Sequence, residues 1–239
     1  ATLELRSRVL KRVGNDCCRA LQSASTNLEK QVLLDGSLSE LVRILLRTGE
    51  LEQARQVGKL LLQVSEECLT SFADVASPAV TEHLNILLLL TDLELEAQNM
   101  VVADQYLQAL SSRLPQSSED SAVLHWQAEV ARRLGHRKYL EYTKHHDPVA
   151  QKQAVDSARR FAEQDLELRR RLLKRHTDPA ELVNYCTTLA SLSLYCYKGG
   201  DSTTAIETQN ESLNILGTLI EDSSVSEEAT QQFVRICFN

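Results

Sequence analysis

The sequence predicts an all-α protein, a superhelical array (α-solenoid) of antiparallel helix hairpins. Three observations carry that prediction. The 239 residues include only 8 Gly and 4 Pro, too few for the many tight turns that a strand-rich chain needs. Helix start and stop signals recur along the chain, and the segments between them carry apolar residues at helical spacing. A small residue early in a helix recurs at Ala54, Ala103, Ala158 and Ala205, and a period of about 50 residues is the mark of a repeat array.

The elements follow in order. Hydrophobic residues make up 43% of the chain, enough for a core and against general disorder. Residues 2–33 read as helix, broken near Gly14. Ser37 to Glu40 form a capping box that opens a helix over 37–48, and a partner helix follows over 50–73. Ser77-Pro78, Asp147-Pro148 and Asp178-Pro179 each pair an N-cap side chain with proline at the first helical position, where its missing N–H costs nothing. They open helices over 78–97, 148–176 and 179–198. Helices over 99–114 and 119–135 lie between, with Pro115 as a stop. A helix over 202–221 and a second capping box at Ser224 to Glu227, opening 225–238, complete the chain. No stretch alternates with period two.

The domain reading is a single helical-repeat domain over 1–239. Residues 1–36 form an N-terminal cap, 37–74, 78–115, 119–176 and 179–221 form hairpins, and 225–239 start a further helix. The chain lacks an initiator Met and stops within the apolar stretch QQFVRICFN, so it reads as a fragment of a larger protein.

The double glycine in YCYKGGDSTTAIETQ raises the question of a phosphate-binding loop. Such a loop follows a strand and needs a later Gly-Lys-Ser/Thr. Here the preceding segment is helical and no Gly-Lys follows, so Gly199 and Gly200 read as the turn of a hairpin. Gly49 stands in the same relation to Ala54 as Gly200 does to Ala205. A small residue there lets the two helices of a hairpin pack closely.

Other chemistries find little support. The longest wholly apolar run, 86–90, is far short of the roughly 20 residues a bilayer needs. The start is charged and amphipathic, without the apolar core of a signal peptide. The six cysteines, at 17, 18, 68, 186, 196 and 237, include no C-x-x-C and read as reduced, mostly buried thiols of an intracellular protein, cytoplasmic or nuclear. His145, His146 and Asp147 lack a second ligand cluster and read as loop residues with an N-cap rather than a metal site. No catalytic residue, metal or cofactor is expected. Ser117, Ser118, Ser223, Ser224 and Ser226 lie in acidic surroundings that suit an acid-directed kinase, although capping accounts for most of them.

At these residues the chain resembles tetratricopeptide repeats. LASLSLYCYKGGDSTTAIETQNESLNIL matches the motif through Leu189, Leu192, Gly200, Ala205, Ile206 and Leu213, and TGELEQARQVGKLLLQ is a second match. The region 158–216 is similar to the longer repeats of the kinesin light chain type, through Arg160-Phe161, Leu166 to Leu168 and Asp178-Pro179. The copy around Ala103 keeps Leu107, Leu110 and Pro115 but lacks the turn glycine. The copy around Ala158 is separated from Trp126 and Gly135 by GHRKYLEYTKHHDP, which departs from the pattern. The resemblance implies a right-handed superhelix whose concave face holds a segment of a partner.

Two sets of candidate site residues follow. Residues 132–176 hold 13 Lys/Arg against 6 Asp/Glu, between two acidic flanks of a chain whose net charge is −7. Arg132, Arg133, Arg137, Lys138, Arg159, Arg160 and Arg170 form the first set, a cradle for an acidic or phosphorylated segment of another protein. The same cluster could instead be a solvated surface or pair with the acidic flanks. If the repeat register holds, the concave face gives the second set: Arg43 and Arg47 on the first hairpin, Asp92 on the next, and Thr187, Ser191 and Lys198 on the last, with Ala190 and Leu194 beside them. The expected function is a non-catalytic scaffold that binds a peptide or helical segment of a partner protein. The alternatives are a helical-repeat nucleic-acid or phosphate binder, with Tyr139 and Tyr142 as stacking platforms, and a docking arm of an enzyme whose catalytic domain lies outside this chain.

Overall fold

The structure is a computed structural model and describes residues 39–69, 78–115, 117–175, 178–221, 230–232 and 234. The expected helix over 2–33 and the capping boxes at Ser37 and Ser224 lie outside these residues. The described residues form α-helices joined by short turns and contain no strand. The fold class is all-α, a helical repeat of solenoid type. Among the described residues the bounded helices are α1 (Ser39–Arg47), α2 (Leu51–Leu69), α3 (Pro78–Glu96), α4 (Met100–Arg113), α5 (Ser121–Lys144), α6 (Pro148–Leu173), α7 (Pro179–Lys198) and α8 (Ser202–Glu221). They fall into two compact units, Ala1–Ser112 and Arg113–Asn239.

In the first unit α1, α2 and α3 enclose a core of Leu41, Val42, Leu45, Ala54, Val57, Leu61, Leu90 and Leu93. Residues 86–90 of α3 are all buried. A helix apolar on every side is an interior helix, as this run requires. Arg55 of α2 clamps Glu94 of α3 with two hydrogen bonds, Nε to Oε1 at 2.9 Å and Nη2 to Oε2 at 3.0 Å.

One turn serves three hairpins. Gly49, with φ +77°, ends α1, and Gly200, with φ +87°, follows α7. In the third case Gln98, with φ +55°, stands where the motif has glycine. Each turn closes the same way. The N–H after the left-handed residue bonds back five residues: Glu50 to Leu45, Asn99 to Glu94 and Asp201 to Cys196, at 2.8–2.9 Å. That residue then caps the next helix, accepting the N–H of Ala54, Ala103 or Ala205. All three alanines are buried. The αL residue with its 6→1 bond is the Schellman turn, and Gln98 adopts it at a cost that glycine avoids.

The second unit holds α5 to α8. Asp120, Asp147 and Asp178 cap α5, α6 and α7 through their carboxylates, which accept from Ala122 and Val123, from Ala150 and from Ala180 respectively. The α5–α6 hairpin differs from the expected one. The sequence reading ended its first helix near 135, whereas α5 runs on to Lys144 and carries Tyr139 and Tyr142 in a helix rather than a linker. Gly135 is interior, where glycine costs about 1 kcal/mol of helix propensity. The crossing with α6 is close there: a Cβ would stand in ordinary contact, 3.4 Å from the Ala158 carbonyl and 3.5 Å from Phe161 Cβ. Ala158 thus marks a helix crossing within α6, not the start of a helix after a Schellman turn. Ala158, Ala162, Leu166, Tyr185, Leu189, Leu192 and Tyr195 form the central core, and Val183, Cys186, Leu216 and Leu219 a second cluster.

Candidate functional site

Two features of the second unit are candidates for a site. One is an ionic cluster inside it, the other a groove on its surface.

The cluster is centred on Arg169 of α6, which is 0% exposed. Its Nη2 donates to Glu129 Oε1 of α5 at 2.7 Å, and its Nη1 to Glu181 Oε1 of α7 at 2.5 Å. Its Nε donates to Thr188 Oγ1 of α7 at 3.1 Å. Asp165, one turn earlier on α6, places Oδ1 2.8 Å from the same Nε. That oxygen accepts no hydrogen bond, while Oδ2 accepts from the Thr188 hydroxyl at 2.7 Å. Arg132 and Arg133 complete the cluster, both on Glu129 Oε2, at 2.7 and 2.5 Å. His125 Nδ1 lies 3.4 Å from Glu181 Oε2. One guanidinium therefore ties three helices together. A planar five-donor fork can do this where an ammonium cannot.

The carboxylates respond differently. Burial alone would raise Glu129, but Arg132, Arg133 and Arg169 hold it well below the usual carboxylate range. Burial would also raise Glu181, and hydrogen bonding to His125 and the charge of Arg169 hold it down. At Asp165 burial wins: Arg169 and the Thr188 hydroxyl offset it only in part, and the carboxyl is pushed up to about 6.

The groove, of about 800 Å³, lies along α7 and the start of α8. Thr187, Ala190, Ser191, Leu194 and Lys198 line it from α7, and Ser202, Ala205, Ile206 and Gln209 from α8. Tyr139 of α5 and Gln232 also border it. Three large apolar side chains on its walls face water: Leu194 is 38% exposed, Tyr197 62% and Ile206 61%. Its floor is made of small side chains. Ser191 and Ser193 are satisfied by backbone, donating to the Thr187 and Ala205 carbonyls. Among the described residues Lys198 is the only charged one in the lining. Its ammonium sits 5.6 Å from the Tyr197 ring centroid, and no carboxylate among the described residues pairs with it.

The concave-face candidates separate by unit. Thr187, Ser191 and Lys198 come together in the groove. In the first unit Arg43 is exposed and pairs with Glu40 at 3.5 Å, Arg47 is exposed, and Asp92 is half-buried. The basic candidates are largely engaged. Arg132 and Arg133 belong to the cluster. Arg137 and Lys138 both hold Glu141. Arg159 bridges Glu163 at 2.9 Å and Asp201 at 3.0 Å. Arg160 donates to the Asp156 carbonyl and Ser157 Oγ at 3.3 Å. Arg170 donates to the Tyr185 hydroxyl at 3.2 Å, which itself donates to Glu211. Tyr139 packs on Tyr142 and Tyr195, with centroids 5.6 and 5.4 Å apart. Cys186 and Cys196 are free and buried, and burial pushes the Cys186 thiol up to about 11.

Sequence reasoning missed Glu129, Asp165 and Glu181 as partners of Arg169, and Tyr197 and Ile206 as groove walls. The i,i+4 spacings of Asp165–Arg169 and Glu129–Arg133 were visible signals. Nothing in the sequence places Glu181 beside Arg169, since that contact crosses from α7 to α6. Among the described residues no group of three or more His, Cys, Asp or Glu could hold a metal ion, and no helix is long and apolar enough to cross a membrane.

No family model and no curated protein matches the chain. Among solved structures, the chain is similar to the crystal structure of BtubC (BKLC) from P. vanneervenii. The two share 19% identity over 92% of this chain and 75% of that one, with a TM-score of 0.58. At that identity the likeness concerns the fold alone, and it is a likeness between helical-repeat proteins.

Proposed function

We propose that the chain is a non-catalytic, tetratricopeptide-like scaffold that binds a segment of another protein, and that the α7–α8 groove is where the segment lies. The observation that carries this reading is the coincidence of exposed Leu194, Tyr197 and Ile206 on the walls of one groove. Large apolar side chains gathered in a concavity mark interaction sites, whereas the same residues scattered singly would not. The small floor residues leave room for incoming side chains. Arg160 and Arg170, exposed and without a carboxylate pair among the described residues, add positive charge that favours an acidic or phosphorylated partner. A location inside the cell, in cytoplasm or nucleus, suits a scaffold with buried free thiols.

Paired captures test the reading. The baits are the wild-type chain, Leu194→Glu with Ile206→Arg, Arg160→Glu with Arg170→Glu, and Val149→Asp as an exposed control. A partner kept by the control and lost with the groove variant supports the groove. Loss with the arginine variant as well adds the basic residues to the site. Retention of every partner by the groove variant overturns the reading.

A further inference from the structure

The groove's shape and charge say what kind of segment it takes. We infer that its occupant is an amphipathic α-helix of a partner protein, about three turns long, with an acidic residue at the end that meets Lys198. The inference rests on the scaffold reading above and specifies its ligand.

The length comes from α7. Thr187, Ala190, Ser191, Leu194 and Lys198 stand at i, i+3, i+4, i+7 and i+11, one continuous helical stripe. From first to last it covers 11 steps, roughly 16 Å at 1.5 Å per residue, which matches three turns of a helix laid along it. The width comes from the floor. Ala190, Ser191 and Ala205 are small, so a third helix can approach to the 8–10 Å interaxial distance of packed helices. The apolar character comes from the walls. Leu194 and Ile206 lie on opposite helices and offer ridges between which the i, i+3, i+4 and i+7 side chains of an incoming helix can seat.

The choice of a helix over an extended strand follows from what borders the groove. Both walls are α-helices whose backbone polar groups are spent within the helix, so no sheet edge is offered for strand addition. The choice of an acidic residue follows from charge complementarity. Among the described residues Lys198 is the only charged one in the lining, and it sits at the C-terminal end of α7 and pairs with no described carboxylate. Burying that ammonium under a wholly apolar helix would leave it uncompensated, which disfavours such a ligand.

Selection from two displayed peptide libraries tests this. One is a randomised 14-residue helical scaffold. The other has the same composition, with prolines at two internal positions that forbid a helix. The baits are the wild-type chain, Lys198→Glu and Ile206→Arg, both substitutions at exposed positions, each first shown to keep the wild-type circular dichroism and melting curve. The expected result is enrichment from the helical library of sequences with apolar residues at i, i+3, i+4 and i+7 and Asp or Glu at one end. Synthetic versions of those peptides should lose about tenfold in affinity on Lys198→Glu and recover it when their acidic residue is changed to Lys. Binding should be lost on Ile206→Arg. Enrichment from the proline library instead overturns the helix while leaving the scaffold reading in place. The helix is equally overturned by no enrichment, by binding indifferent to Ile206→Arg, or by a chain that sediments as a dimer broken by Ile206→Arg. Retention of every partner by the groove variant in the captures above would remove the scaffold reading itself.

Discussion

Arg169 Nη1 and Glu181 Oε1 lie 2.5 Å apart with the guanidinium wholly shielded from solvent. The pair joins α6 to α7, Nη2 of the same guanidinium reaches Glu129 on α5, and Nε donates to Thr188 on α7. Removing Arg169 would leave Glu129, Asp165 and Glu181 buried around a missing cation. Breaking a buried pair from one side costs about 3–5 kcal/mol, so Arg169→Met should destabilise the second unit by that amount, measured by urea unfolding. Arg169→Lys should recover only part, because one ammonium cannot reach three carboxylates in fixed directions.

Asp165 gives the cluster a pH dependence. Its carboxyl titrates near 6 in the folded chain, above its ordinary 3.8. A raised carboxyl binds its proton more tightly when folded, so its stabilising contribution is full below about pH 4 and lost as pH rises through 6. Glu129 and Glu181 act in the opposite sense: held low in the folded state, they stabilise above their ordinary value of 4.5 and lose that contribution as pH falls. Stability should therefore rise as pH drops from 7.5 to about 5.5 and decline below about 4. A shift of two units corresponds to about 3 kcal/mol at most. Asp165→Asn should flatten the slope between pH 5 and 7.5. A slope unchanged in that variant would assign the titration to another group.

Gln98 occupies a turn that glycine occupies twice elsewhere. A left-handed backbone costs an ordinary residue about 1–2 kcal/mol, and glycine gives back part of the gain through its freer unfolded chain. Gln98→Gly should stabilise by about 0.5–1 kcal/mol, and Gly200→Ala should destabilise by about 1 kcal/mol. Nothing lies within 4 Å of a Cβ at Gly200, so the cost there is backbone strain and not a clash. Thermal melts of the two variants should move in opposite directions.

Gly135 is the reverse case, with an ordinary helical backbone and a Cβ position already in contact with Ala158 and Phe161, so groups beyond a Cβ have little room. Gly135→Val would press two methyl groups against Ala158 and Phe161. Overpacking of that kind costs about 1–3 kcal/mol, against which the gain in helix propensity is smaller. A melt at or above that of wild type would mean that α5 and α6 can separate without loss.

Much of the fold was legible because its signals are local. The bounds of α7 and α8 coincide with those expected over 179–198 and 202–221, since Asp178-Pro179 and Gly200 mark both ends of α7 by backbone chemistry alone. The repeated Ala at five residues from the turn led to the hairpins even where Gln98 hides the motif. The α5–α6 hairpin was not legible: Gly135 reads as a stop, yet α5 runs through it to Lys144 where it crosses α6 at Ala158. The lining of the groove was half legible. Helical register brought Thr187, Ser191 and Lys198 to one face. Whether Tyr197 and Ile206 face solvent or core depends on their neighbours across α7 and α8, which no local pattern encodes. The same holds for the charge-rich middle, where the partners of Arg169 come from three helices.

The central claim is that a protein segment lies in the α7–α8 groove, and site-specific photo-crosslinking tests it most directly. A photoreactive phenylalanine analogue placed at Tyr197, in the groove, is compared with one at Val149, exposed on α6. The account predicts a discrete polypeptide adduct from position 197, competed away by the helical peptides selected above, and none from position 149. Equal labelling from both positions, or none from 197, would contradict it.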